Sequence, residues 1–173
     1  MRSRWGKLTL ALLVLGAGLA FAAGLVSAAA VMLDWEVRGS GTVGGICSTS
    51  PFLTSGCTAI SGGSAIGTHV GNSTWTLNVT TGAVPVANSS GGNCFVANGT
   101  GDVTAANGDV VSYKTVGWLC EEDSSTSPYH YNGTFRITGG TGRFSAAVGA
   151  GNVASSNVRG GTSYIHIDGV INY

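Results

Sequence analysis

Charge is what this sequence has least of. Only 9% of its 173 residues are Asp, Glu, Lys or Arg, against about 25% in typical soluble domains. Three of the eight basic residues, Arg2, Arg4 and Lys7, stand at the very start. Without them five cations face eight acids, and the chain is mildly acidic, about −3. No basic patch remains to neutralise phosphates, so nucleic-acid binding has no support. Helical periodicity is missing too: after the N-terminal run, no segment repeats apolar residues at i, i+3, i+4 and i+7 over a helical length. There is no Cys-x-x-Cys pair and the histidines stand far from the cysteines, which argues against zinc. The hydrolase motif G-x-S-x-G is also absent, since 62-GGSAIG-67 has its last glycine one residue late.

Long apolar runs are absent except at the start. The stretch 1-MRSRWGKLTLALLVLGAGLAFAAGLVSAAAVML-33 opens with basic residues, continues apolar, and closes on the small residues Ala28-Ala29-Ala30. That is the pattern of a secretory signal peptide over 1–30, to be removed from a mature single domain over 31–173. The same run is long enough to cross a bilayer as a retained anchor, for which about 20 residues suffice. Membrane attachment is expected only through that segment. The expected location is therefore secreted or in the cell envelope. Four cysteines, Cys47, Cys57, Cys94 and Cys120, are an even count in an exported chain and read as two disulfides. Of the three connectivities, 47–57 with 94–120 is preferred. The first closes a Gly/Ser/Thr-rich loop and the second joins neighbouring strands.

What the mature chain does have is short runs of Val, Ile, Thr, Tyr, Phe and Trp between Gly, Asn, Ser and Asp. Eight strands are expected, at 34–42, 65–70, 73–80, 94–106, 109–120, 131–138, 143–155 and 162–173. Asn107-Gly108 reads as a type I′ hairpin turn, and Gly71-Asn72 as a second tight turn. Eight antiparallel strands with short turns cover their edges best by closing into a barrel; the alternative is a β-sandwich. In-strand glycines such as Gly99, Gly101, Gly117, Gly149, Gly151 and Gly169 favour the barrel, where tight coiling uses them.

The stretch 137-ITGGTGRFSAAVGAG-151 is glycine-rich enough to suggest a phosphate loop. No amphipathic helix follows it, nor does one follow the G-x-G-x-x-G match at Gly39, Gly41 and Gly44. It reads instead as a hairpin corner, with Phe144 packing inward and Ala146, Val148 and Ala150 continuing its face at period two.

This stretch also carries a resemblance. The sequence 134-TFRITGGTGRFSAAVGAG-151 is similar to the most recognisable segment of the allene oxide cyclase/dirigent barrel superfamily, closest to small exported bacterial members of unassigned activity. The likeness extends through 67-GTHVGNSTWTL-77, 102-DVTAANGDVVSYKTVG-117 and 168-DGVINY-173, and so over most of the mature chain. It implies an eight-stranded antiparallel barrel with a lumen. In plant relatives that lumen binds an apolar fatty-acid epoxide or orients phenolic radicals. It also implies a possible homo-oligomer, since members often form trimers. No positions here match the cyclase's polar catalytic set or the dirigent acids, so the matching part is the part that builds the barrel.

The weak catalytic candidates are His166 and Asp168. On a strand they share one face with Tyr164 and Val170, while Ile165, Ile167 and Ile171 share the other. Either the His–Asp face lines the interior as an acid–base pair, or the isoleucines fill the barrel and the pair meets solvent. A small eight-stranded barrel favours the second. Tyr164 and Arg136 are weak ligand-binding candidates. Arg136 and Arg143 are expected to pair with Asp168 or with the acids of 121-EED-123, themselves read as a solvated loop. His69, near a tight turn, and His130, in a loop after 127-SPY-129, are expected at the surface. N-x-S/T sites occur at Asn72, Asn78, Asn88, Asn98 and Asn132, which a eukaryotic or archaeal secretory route would glycosylate.

The expected function is an exported β-barrel without evident catalytic machinery, with a binding or envelope/surface role and no cofactor or metal. One alternative is a lumenal cyclase-like or dirigent-like protein acting on a small apolar ligand. Another is a subunit of an extracellular filament, whose sign would be an unpaired edge strand near 34–42.

Overall fold

The computed structural model describes residues 31–45, 47, 53–89, 91–121, 128–158 and 161–173. The proposed signal or anchor segment 1–30 lies outside the described residues, as do Glu122 and Asp123. The described chain forms eight strands: β1 (Leu33–Gly44), β2 (Thr58–Gly67), β3 (Gly71–Ala87), β4 (Asn93–Ala105), β5 (Val110–Glu121), β6 (Tyr129–Gly140), β7 (Val148–Asn157) and β8 (Thr162–Asn172). Each pairs antiparallel with its sequence neighbour, and β8 returns to β1, so the sheet is a closed barrel. β1 is paired on both sides. The unpaired edge near 34–42 that would mark strand-by-strand polymerisation does not exist, because closure satisfies both of its ladders.

Period-two alternation sends one face of every strand inward. Trp35, Trp75, Phe95, Tyr113, Tyr131 and Phe135 point into the barrel and are each 3% exposed or less. Trp35 meets Phe135 edge-on with ring centroids 5.3 Å apart, and Phe135 meets Tyr113 at 5.8 Å. Each large apolar side chain buried in this way contributes about 1.5–3 kcal/mol relative to exposure. The inward glycines are what make room for so many rings. A Cβ on Gly39 would lie 2.6 Å from the Trp75 indole nitrogen. One on Gly101 would collide with the Tyr113 ring, which stands directly across the β4–β5 ladder.

Loop chemistry closes the two ends. At one end Cys47 is bonded to Cys57, and Cys94 to Cys120, its direct ladder partner. At the other, Arg143 donates to the His69 carbonyl at 2.6 Å, lies 4.7 Å over the Phe144 ring, and approaches Asp109 at 3.6 Å. Phe144 packs on Tyr173 at 4.8 Å, and the Tyr173 hydroxyl is 3.3 Å from His69 Nδ1. His69 itself sits at φ 63°, a left-handed conformation that a non-glycine residue holds only when its surroundings impose it.

Several boundaries differ from the sequence expectation. β2 begins at Thr58 rather than 65, because a Gly/Ser/Ala stretch of low strand propensity is held by ladders on both sides. The turn after it spans 68–70, not Gly71-Asn72, which opens β3. Asn107-Gly108 is not a type I′ turn, since only Gly108 has positive φ. The Gly108 amide bonds the Ala105 carbonyl at 2.9 Å, and the Ala105 amide bonds Asp109 at 2.9 Å. That is a type I turn followed by a left-handed glycine bulge. Phe144 is buried as expected, but from a 3₁₀ turn, Gly142–Phe144, and β7 starts only at Val148. Ala146, Val148 and Ala150 therefore do not continue its face; they are exposed, and Ala147 is buried instead.

Candidate functional site

With the interior filled by side chains, the chemistry-bearing residues collect on the outer wall. On β8 the period places Ile165, Ile167 and Ile171 inside and Tyr164, His166 and Asp168 outside. The antiparallel register then sets Tyr164 opposite Ser40, His166 opposite Arg38, and Asp168 opposite Glu36 of β1. Across the other side of β1, Arg38 stands opposite Ile66 of β2.

Glu36 is the hub of this wall. Its Oε1 accepts from Arg38 Nε at 2.6 Å and from His166 Nε2 at 3.2 Å. The Arg38 hydrogen bond, and after it the His166 bond, hold the Glu36 carboxyl below its ordinary range, because both favour the charged form. A carboxylate only accepts, so this pairing assigns the shared proton to His166 Nε2. His166 and Asp168 are thus neighbours on one face, as the spacing requires, but not partners. Asp168 instead accepts from Asn152 Nδ2 at 3.2 Å. The three side chains of the hub are 72%, 45% and 43% exposed for Arg38, Glu36 and His166. Water reaches all of them, so the group is open to solvent rather than enclosed.

Tyr164 is 56% exposed and Ile66 69%. Together with Arg38, Ser40, Ser64 and Asn72 they line an open groove of about 750 Å³. A smaller one of about 220 Å³ adjoins it, lined by His130, Asn132, Ala154, Ser156, Tyr164 and His166. His130 is not a loop residue: it stands on β6 between Cys120 and Ser156 and is half-buried, because the strand begins two residues earlier than the sequence suggested.

Arg136 lies elsewhere. It projects outward from β6 directly opposite Lys114 of β5, beside a groove of about 340 Å³ shared with Asn98, Val116 and Thr134. The expected pairing of Arg136 or Arg143 with Asp168 does not occur: β7 lies between β6 and β8, and its Asn152 takes Asp168. Arg143 takes Asp109 instead.

Sequence reasoning missed Glu121. Read as part of a solvated acidic loop, it ends β5 fully buried. One carboxylate oxygen accepts from the Leu53 amide at 2.9 Å, and the other from the amide and side chain of Asn93, both at 3.3 Å. The signal was present in the inward period of β5, where Tyr113, Thr115, Leu119 and Glu121 alternate. Among the described residues, no three His, Cys, Asp or Glu side chains form a group fit to hold a metal ion.

Comparison of the chain with protein-family models, curated proteins and solved structures finds no match. What the fold defines is the class: an all-β, disulfide-bonded, eight-stranded antiparallel closed barrel.

Proposed function

We propose that this protein is an exported, non-catalytic β-barrel that works by binding through its outer wall in the extracytoplasmic space or at the cell envelope. The observation that carries this reading is the filled interior. A lumenal enzyme or guide needs a cavity to receive its substrate, and here rings and aliphatic side chains occupy that volume. The two disulfides suit an oxidising compartment, and the N-terminal basic–apolar–small pattern suits export. The likeness to allene oxide cyclase/dirigent-like barrels supports a shared architecture, while the missing catalytic set argues against carrying over their activities.

Native mass spectrometry of the protein recovered from its host's secreted or envelope fraction tests the reading. The expected species is a disulfide-bonded barrel free of small-molecule adduct. A stoichiometric apolar adduct would instead support the lumenal-ligand alternative.

A further inference from the structure

The few outward charges are sorted by wall. Lys114 and Arg136 face each other across β5 and β6, where like charges directly opposite destabilise a ladder. Neither has an ion-pair partner among the described residues. Asp102 on β4 lies on the same wall, bonded by the Ser112 hydroxyl at 2.6 Å, so two cations there stand against one acid. On β8 and β1 the sign reverses. Glu36 is paired with Arg38 and hydrogen-bonded to His166, but Asp34 and Asp168 have no cationic partner among the described residues. Asp168 has only the Asn152 amide.

Exposed apolar groups accompany both sets. The basic wall carries Trp118 at 45%, Val96 at 42% and Val116 at 50% exposure, on the same outward faces as Lys114. The acidic wall carries Tyr164 at 56% and Ile66 at 69%. In the closed order β1 to β8, the basic wall centres on β5 and the acidic wall on β1 and β8, three to four strands apart, with β7 alone between Arg136 on β6 and Asp168 on β8.

We propose that copies of this chain associate head to tail, the Lys114/Arg136/Trp118 wall of one docking on the Asp34/Asp168/Tyr164 wall of the next. This rests on the outer wall being the working surface, and it names a second copy as the partner. The argument is charge complementarity: each wall supplies the counter-charge the other lacks, and desolvating the apolar groups beside them adds area. A contact between two different, well-separated faces is heterologous. It leaves one face of each kind free at the ends and so extends as an open chain rather than closing into a small ring. Strand addition plays no part, because the barrel has no free edge.

Sedimentation velocity on the purified exported protein, over a wide concentration range and at low and high salt, tests this directly. The average mass should climb with concentration without reaching a plateau. At about 1 M salt, where charges are screened within about 3 Å, it should fall back towards a single chain. Two charge-swapped variants sharpen the test: Lys114→Asp with Arg136→Asp, and Asp34→Lys with Asp168→Lys. Each alone should lose assembly, and an equimolar mixture should regain it, because the swapped walls are again complementary. A wild-type protein that stays monomeric, that plateaus as a dimer or trimer, or that holds an acidic oligosaccharide on Lys114 and Arg136 without self-associating would overturn the proposal. So would a mixture of variants that stays monomeric while wild type assembles. These outcomes are independent of adduct detection: an empty, monomeric barrel removes only the chain, whereas a lumenal adduct removes the outer-wall reading itself.

Discussion

Gly101 stands directly opposite Tyr113 across the β4–β5 ladder, and the phenol ring fills the space that a side chain at 101 would take. Tyr113 is 1% exposed, so the ring has nowhere to swing. Gly101→Ala is expected to lower unfolding stability by about 1–3 kcal/mol, the usual cost of overpacking. Urea denaturation reads this as a lower midpoint with an unchanged slope. A double variant, Gly101→Ala with Tyr113→Leu, should recover part of the loss, because the clash goes with the ring.

Glu121 ties the segment at Leu53 to the start of β4. Removing its oxygens leaves buried amides of Leu53 and Asn93 without that acceptor, a cost of about 1–3 kcal/mol, more where the acceptor is charged. Glu121→Leu should therefore destabilise the disulfide end of the barrel first. Limited proteolysis is expected to cut next to Leu53 sooner than in wild type, and before the strands open.

The inward phenols make the barrel sensitive to alkali. Burial first, then the negative charge of Asp102 and the neighbouring Tyr131, hold the Tyr113 hydroxyl neutral far above its ordinary 10.0. Burial likewise raises Tyr131, although its hydrogen bond with Thr115 works the other way. A raised folded-state pKa means that the stability is whole below the unfolded value, near pH 10, and is lost as pH climbs above it. Phenolate absorbance is expected to rise for the exposed tyrosines first. The buried pair should ionise only together with loss of the near-ultraviolet dichroism. Tyr113→Phe should shift that second step to higher pH.

The two disulfides differ in access. Cys47 and Cys57 are 0% and 2% exposed, while Cys94 and Cys120 lie half-buried on the outer wall. Thiol–disulfide exchange needs approach to the sulfur, so mild reductant should open 94–120 before 47–57. Stepwise alkylation followed by peptide mass spectrometry gives the order. Loss of either bond is expected to cost about 2–4 kcal/mol, as for loops of this length.

The barrel was legible because its signals are local and repeated: period two along each strand, turn glycines between them, and ring residues on one face. The period sorts the isoleucines of β8 from His166 and Asp168, and the narrow interior of an eight-stranded barrel selects the isoleucines for the inside, as the structure has them. What could not be read were interactions set by register between distant segments. Nothing in 34-DWEVR-38 shows that Glu36 will meet His166, since that pairing depends on how the last strand closes against the first. Glu121 was hidden because acids are common in loops and its two amide donors come from Leu53 and Asn93, far along the chain. The turn at 105–109 was misassigned because Asn-Gly suits two geometries, and only the bonds made by Ala105 separate them.

Pairing between β1 and β8 also governs when the molecule can become itself. Leu33 meets Ile171 and Thr42 meets Thr162, so the opening strand waits for the closing one. A chain emerging N-terminus first presents β1 with one side of its backbone unsatisfied until β8 arrives. Non-local pairing of this kind is slow to form, and an open strand is a template for other chains meanwhile. A truncation that removes only the last eleven residues, 163–173, would leave the other seven strands intact in sequence yet without a barrel to belong to.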